Sequence, residues 1–491
     1  MPSLPQFQEL SVISDLHMGG EKRDGKNFQI FKQGIVLGNF ITGLTNKKNG
    51  KIGLVINGDM VDFLAEPNPK YFDPNGAIGK LDRIANDDSF RPVWTALKNF
   101  VAQPDRQLII TLGNHDLELS LPWVREHLLE MLTDKKDDLR SRITLAFDGC
   151  GFLAQVGSAK VLCVHGNDVD DWNVTDYDRM RRIVRDRQFG QPFDNWIPNA
   201  GTQLVIDVMN EIKREFPFVD LLKPEMEAVV PTLLALDPKS KPKIKEIWDI
   251  FCRITQDKKR RQQGLLSADD SPADVTPAPD FDDMLRRTFR TSEPPDSAED
   301  LLKKARANRN DKVQSGQIRR RDEQGQTLGI TGAIWNWVTG KTPAEVLREA
   351  LEGLKKDQSF DPKQPEDTLK QLDKLISDDI PFITAGHTHL ERALIRPSGR
   401  GYYFNSGTWV RLMRLTPDVL DSPTVFEEVF KTIKRGTLEA LENSNPKLVE
   451  LKPAVVQIEQ TTNAVVGSLR RVDDQGNMQP AVSNLTFSVP L

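Results

Sequence analysis

The chain has 491 residues, 38% of them hydrophobic and 28% charged, and a formal net charge of −5. That length leaves room for more than one domain at the usual ~100–200 residues each, and the slightly acidic balance argues against a protein built chiefly to coat nucleic acid or anionic membrane. Three cysteines, Cys150, Cys163 and Cys252, stand in no CxxC spacing, so neither a disulfide framework nor a thiolate zinc site is indicated.

In chain order, the N-terminal stretch MPSLPQFQEL lacks the charged leader and apolar core of a signal peptide, and no segment reaches the roughly 18 apolar residues of a membrane span. A cytoplasmic location and no membrane span are expected. The first third alternates helical stretches with the apolar runs LSVIS, IGLVING, LIITLGN and KVLCVHG. Such runs, bounded by Gly and Asp, fit strands covered on both faces. The fold class expected is α/β, a layered sandwich of β-sheets flanked by helices.

After His165 the character changes. NDVDDWNVTDYDRMRRIVRDRQFG places Arg179, Arg181, Arg182, Arg185 and Arg187 in one helix. Residues 203–216 set Leu204, Val205, Val208, Met209, Ile212 and Phe216 on one helical face, and residues 243–255 repeat the pattern with Ile244, Ile247, Trp248, Phe251 and Ile254. Residues 264–300, rich in Pro, Asp and Ser, are too poor in apolar residues to build a core and read as a mobile acidic linker. Residues 301–321 are basic, either a solvated segment or a phosphate or nucleic-acid contact. The Gly-bounded patch with Trp335 and Trp337 is either a packed corner or a stacking surface for a lipid or base. TPAEVLREALEGLKK opens with a capping box made by Thr342 at the N-cap, Pro343 at N1 and Glu345 at N3.

Strand character returns at PFITAGHTHLERALI and GYYFNSGTW and again from about residue 453. The expected organisation is therefore the first part of a core at 1–170 and a mostly helical insertion at 171–379, with the acidic then basic linker at about 264–325. Residues 380–491 complete the core and include a β tail.

Of six histidines, His17, His115, His165, His387 and His389 follow strand-like runs, in the loops SDLH, GNHD, VHGND and GHTH; a further loop is GDMVD. In open α/β sheets, functional groups gather at the carboxyl ends of strands, so these loops are expected to converge. Carboxylate, amide and imidazole without thiolate suit Mn, Fe, Zn or Mg. Asp15, His17, Asp59, Asn114, His165, His387 and His389 exceed what one tetrahedral zinc can use, so two ions are expected. Asp15 and His17 are two residues apart, which on a strand end turns both side chains to one face. His127, in the amphipathic LPWVREHLLEML, reads as structural.

The series DLH, GDMVD, GNHD, HG and GHTH resembles the calcineurin-like metallophosphoesterase superfamily over residues 10–169 and 380–410. The resemblance implies that Asp15, His17 and His389 hold one ion, that Asn114, His165 and His387 hold the other, and that Asp59 bridges them. His115 would sit beside the phosphate and assist the leaving oxygen, oriented by Asp62. Two divalent ions, manganese first and Fe, Zn or Mg as alternatives, would activate a shared water for in-line attack at phosphorus.

The chain departs from the protein Ser/Thr phosphatases of that superfamily, because Phe63 and Leu64 follow GDMVD in place of an Arg-Gly pair and Asp116 replaces a Glu. A phosphoprotein substrate is therefore disfavoured. The leading expectation is a phosphomonoester, phosphodiester or pyrophosphate bond in a small-molecule or lipid-linked substrate under a closing helical cap. A nuclease acting on DNA or RNA is the alternative, and a non-catalytic scaffold of the same fold a third reading. Candidate substrate contacts are Arg179 and Arg182, whose guanidinium forks suit phosphate, and Trp409 and Arg411, which follow the turn at Asn405, Ser406 and Gly407.

Overall fold

The computed structural model describes residues 3–23, 26–48, 50–192, 196–223, 225–236, 245 and 342–491. The expected helix at 243–255, the acidic and basic stretches within 264–321 and the patch around Trp335 and Trp337 lie outside the described residues.

The strands that build the site are β1 (Gln6–Phe7), β2 (Glu9–Ile13), β3 (Ile52–Asn57), β4 (Arg106–Thr111), β5 (Ile143–Ala146), β6 (Phe152–Val156), β7 (Ala159–Cys163), β8 (Phe382–Ala385), β9 (Glu391–Ile395), β10 (Tyr402–Ser406), β11 (Ala454–Gln460), β12 (Ala464–Arg471) and β13 (Thr486–Pro490). The main helices are α1 (Gly34–Asn46), α2 (Ala77–Asn86), α3 (Arg91–Ala102), α4 (Pro122–Thr133), α5 (Tyr177–Gln188), α6 (Pro343–Ala350), α7 (Asp367–Leu375) and α8 (Pro423–Arg435). One sheet has the order β13-β12-β11-β2-β3-β4-β5 and the other β1-β6-β7-β8-β10-β9. In the first, β2 to β5 run parallel, while β11 joins β2 antiparallel in the register Val456 opposite Val12. The C-terminal β tail thus extends the sheet that the N-terminus begins.

Side chains alternate across a strand, and here both sets are apolar. Leu10, Val12, Val55 and Ile109 point into a core shared with Phe152, Val161, Phe382 and Phe404 of the second sheet. Their neighbours Ile13, Leu54, Ile56, Leu108 and Ile110 pack beneath α1 to α4 against Phe40, Leu81, Leu97 and Leu128. On the far side, Leu369 and Leu372 of α7 cover Ile383, Ala385 and Tyr403. Two sheets between two helical layers result, the layered α/β sandwich expected from the sequence. Each fully buried Leu or Ile stabilises it by roughly 1.5–3 kcal/mol.

The chain divides into two compact units, one made of residues 1–221, 357–413 and 449–491, the other of 222–356 and 414–448. The first holds both sheets and every candidate site residue. In it the helical run at 200–215 is interrupted by a π turn at Val205–Met209, where the extra residue rotates the apolar face. Met209 and Ile212 are buried while Leu204, Val205 and Phe216 are only half-buried. In the second unit, α6 carries the expected capping box, Thr342 and Glu345 bonding each other's backbone N–H, and Arg348 donates to the Leu420 carbonyl at 3.2 Å. No helix among the described residues is long and apolar enough to cross a membrane.

Candidate metal centre

The loops leaving β2, β3 and β4 of one sheet and β7, β8 and β10 of the other meet at the carboxyl ends of their strands. Backbone bonds lace them together. The His17 and Leu16 N–H groups each donate to the Asp59 carbonyl at 2.9 Å, Phe63 N–H to His115 O at 3.1 Å, and Gly386 N–H to His165 O at 2.9 Å. Buried Asp116 clamps two loops, accepting from Gly113 N–H at 2.7 Å and Met60 N–H at 2.8 Å. Burial, then the neighbouring Asp59, pushes its carboxyl up to about 8.

Strand alternation is not what brings Asp15 and His17 together. β2 ends at Ile13, and the two residues sit beyond it with φ of 53° and 46°. Asp59, His387 and His389 are also left-handed, at 50°, 70° and 62°. A side chain in that region costs about 1–2 kcal/mol, and such strain persists only where the surroundings over-determine it. Here tertiary hydrogen bonds do so: His387 N–H, for example, donates to both carboxylate oxygens of Asp15 at 3.0 Å. The glycines of the motifs serve close approach. A Cβ on Gly113 would lie 2.1 Å from Asp59 Oδ1, and one on Gly58 would lie 2.3 Å from His165 Nδ1.

The side chains that these loops carry converge. His17 Nε2 lies 3.0 Å from His389 Nε2 and 3.6 Å from Asp59 Oδ2. His389 Nε2 is 3.4 Å from Asp15 Oδ1, and His165 Nε2 is 3.2 Å from Asp59 Oδ2. Donors about 2.1 Å from a common ion stand roughly 3.0–3.4 Å apart at right or tetrahedral angles, so these spacings fit shared cations. Among the described residues, three overlapping groups have donor atoms within 4.8 Å of one another: Asp15, His17 and His389; His17, Asp59 and His115; and Asp15, Asp59 and His165. Asp59 belongs to two of them. Asn114 Oδ1 is buried without a hydrogen-bond donor, the state of an amide oxygen reserved for a cation. The residues present therefore fit divalent metal ions.

Outer partners fix the rings. His165 Nδ1 faces the Asn57 carbonyl at 2.8 Å, so it carries a proton and Nε2 is the atom turned to Asp59. Asp62 grips two histidines, with Oδ2 3.3 Å from His17 Nδ1 and Oδ1 3.2 Å from His115 Nδ1. Its hold on His17 was not legible in the motif. Electrostatics follow from this packing. Burial disfavours charge on Asp59, but His165, His115 and His17 outweigh it and hold the carboxyl well below its usual range. Burial likewise disfavours charged His115 and His165, yet Asp62 and Asp59 raise His115 to about 9, and Asp59 raises His165 to about 10. The field of the centre favours cations.

The remaining candidates divide. Arg179 and Arg182 lie on α5, whose buried side is Met180 and Ile183; Arg182 is exposed and Arg179 half-buried. On the same helix Arg185 pairs with Asp186, and Arg187 stacks over the Trp123 ring at 4.1 Å. Trp409 and Arg411 do not line the centre. Trp409 is fully buried against Phe40, its ring centroid 5.8 Å away, with its indole N–H donated to the Ala454 carbonyl at 3.1 Å. Arg411 is buried and donates to the Gln29 carbonyl at 2.7 Å. Both are core residues, because the segment after β10 turns inward beneath the loops. His127 pairs with Asp82 at 2.7 Å on the helical side.

Residues that the motifs did not single out also reach the centre. Asp170 Oδ2 lies 2.8 Å from His387 Nε2, and Asn173 Oδ1 accepts from Asn114 Nδ2 at 3.4 Å. The available signal was the Asp- and Asn-rich run NDVDDWN directly after His165.

Residues 10–219 match the family model described as calcineurin-like phosphoesterase. No curated protein and no solved structure matches the chain. That match falls on the segment carrying the DLH, GDMVD, GNHD and HG loops, whose donors converge on a cation-favouring centre, and it supports the calcineurin-like metallophosphoesterase superfamily for residues 10–219.

Proposed function

We propose that this metal-dependent phosphoesterase uses two divalent ions, with manganese the first choice, to hydrolyse a phosphoester or pyrophosphate bond in a small-molecule or lipid-linked substrate. One ion would be held by Asp15, His17, Asp59 and His389, the other by Asp59, Asn114, His165 and His387. Bound there, such a pair supplies Lewis-acid charge at the phosphoryl oxygens and an activated water. The observation that carries this reading is that Asp59 Oδ2 lies 3.6 Å from His17 Nε2, a donor of the first set, and 3.2 Å from His165 Nε2, a donor of the second.

The chain's own residues do the rest. His115 is 19% exposed at its side chain, whereas His17 and His165 are 3% and 1% exposed, so of these three rings it is the one solvent reaches. With Nδ1 held by Asp62, Nε2 is the atom presented to a leaving oxygen, to which it gives a proton. His115 N–H donates to Asp59 Oδ1 at 2.9 Å, so the acid and the bridging carboxylate are fixed to each other.

The nuclease alternative has less support. Of the arginines on α5, Arg181 pairs with Asp178 and Arg185 with Asp186, which compensates charge locally. The cytoplasm is proposed as its location, on the strength of three cysteines without a pairing pattern.

A Mn²⁺-dependent screen of p-nitrophenyl phosphate, its bis-ester, nucleotide pyrophosphates and single-stranded DNA tests the reading. Turnover of one of the small substrates, abolished by EDTA, is expected. Preference for DNA with steep loss of activity in salt favours the nuclease, and no metal-dependent turnover of any of the four overturns the enzyme reading.

A further inference from the structure

The loop that follows His165 touches two of the four residues assigned to the second metal position, and it does so from outside. Asp170 Oδ2 lies 2.8 Å from His387 Nε2. Asn173 bridges the remaining gap: its Nδ2 donates to Asp170 Oδ2 at 2.8 Å, and its Oδ1 accepts from Asn114 Nδ2 at 3.4 Å. Asn114 Oδ1, on the other side of that amide, is buried and has no donor.

This arrangement repeats what the site does elsewhere. An imidazole that binds a metal through one ring nitrogen gives its other N–H to a carboxylate or carbonyl, which fixes the tautomer and the ring's aim. His17 does this through Nδ1 to Asp62, and His165 through Nδ1 to Asn57 O. His387 is turned the other way, with Nε2 on the carboxylate, so Nδ1 is left for the ion. The amide of Asn114 is aimed by the same logic, its N–H₂ engaged outward and its oxygen inward.

The loop is built to hold this position. Asn167 Nδ2 donates to the Asn173 carbonyl at 3.1 Å and to Thr175 Oγ1 at 3.1 Å, and Tyr177 Oη donates to Asp168 Oδ2 at 3.1 Å. From outside, Gly201 N–H donates to Trp172 O at 2.8 Å, and a Cβ on Gly201 would lie 2.0 Å from Asn173 Oδ1.

We propose that Asp170, coupled through Asn173, is a positioning residue that sets the affinity of the second metal position by holding His387 with Nδ1 toward the ion and Asn114 with Oδ1 toward it. The first position, assembled from Asp15, His17 and His389, has no such dependence. This rests on the two-ion reading above.

The test is Mn²⁺ uptake by the full chain, measured by equilibrium dialysis together with electron paramagnetic resonance, for wild type, Asp170→Ala and Asp170→Asn. Wild type should take up two ions and show the signal of an exchange-coupled pair. Asp170→Ala should weaken one class of site by about 10- to 100-fold, leaving the other intact and the spectrum mononuclear at limiting Mn²⁺. Asp170→Asn, whose amide oxygen still accepts the His387 N–H, should fall between the two. Equal loss in both variants overturns the proposal in favour of direct ligation by Asp170, and no loss in either overturns it outright. Joint loss of both sites with a lowered melting temperature marks Asp170 as merely structural and also overturns it. Wild type binding no more than one ion sinks the two-ion reading itself, and this proposal with it.

Discussion

Asp62 and His115 show how much one carboxylate can organise. Asp62 Oδ1 meets His115 while accepting from Leu64 and Ala65 N–H at 3.0 Å, and Oδ2 meets His17. Replacing His115 by Ala should lower kcat by about 10²–10⁴-fold, the usual worth of a general acid, with Mn²⁺ stoichiometry unchanged. Ion loss in that variant would show instead that the ring is a ligand. Gly113→Ala is the opposite kind of change, small in chemistry and large in space. Its Cβ would lie 2.1 Å from Asp59 Oδ1 and 2.4 Å from Asp59 N, so the shared carboxylate must move. Dialysis should then find weakened uptake of both ions, with a stability cost of about 1–3 kcal/mol from overpacking. Uptake equal to wild type would rule out Asp59 as the shared ligand. At this scale the sequence displayed the residue types and the expected pairing of Asp62 with His115, but not the hold of Asp62 on His17, which arises only after the first two loops are laced together.

Elements are held to one another by a few buried polar groups, and Arg396 is the clearest case. Its side chain is fully buried between α7 and the end of β9, where it pairs with Asp373 at 2.6 Å and donates to the Ile376, Ser377 and Ile380 carbonyls. Arg396→Met strands a carboxylate and three carbonyls, so a loss of about 3–5 kcal/mol is expected from breaking a buried pair, read from the denaturation midpoint. Burial opposes the charge on Asp373, but Arg396 and Ser398 outweigh it and lower its pKa. A depressed folded pKa gives stability that is present above the unfolded value of about 3.9 and lost as pH falls through the folded one. The melting gap between wild type and Arg396→Met should therefore narrow below about pH 4; a constant gap from pH 7 to 3 would falsify the ion-pair account. Strands β2, β3 and β4 were legible because burial on both faces leaves a continuous apolar run. Trp409 and Arg411 were misread because exposure depends on partners far away in sequence, Ala454 for one and Gln29 for the other.

For the molecule as a whole, the binding of cations and the stability of the core unit are one quantity. Asp15, Asp59 and Asp116 are buried together, and Asp15 is raised by burial despite His165 and His17. Ions that bind only the folded state stabilise it by about 2.7 kcal/mol at 100 times Kd for a single site. Melting temperature should accordingly rise with Mn²⁺ and drop in EDTA. Identical curves in the two conditions would leave the centre without a cation to hold.

By itself the sequence determined the order of the loops, the donor chemistry and the layered α/β class, because those depend on residue type and on local periodicity. The tertiary structure decided which sheet each loop leaves, that five ligand candidates adopt left-handed backbone, and that Asp170 and Asn173 contact His387 and Asn114. Asp and His enter the left-handed region more readily than most side chains, but still at a cost. Only hydrogen bonds between loops that are distant in sequence compensate that cost, and those exist only once the two sheets have packed.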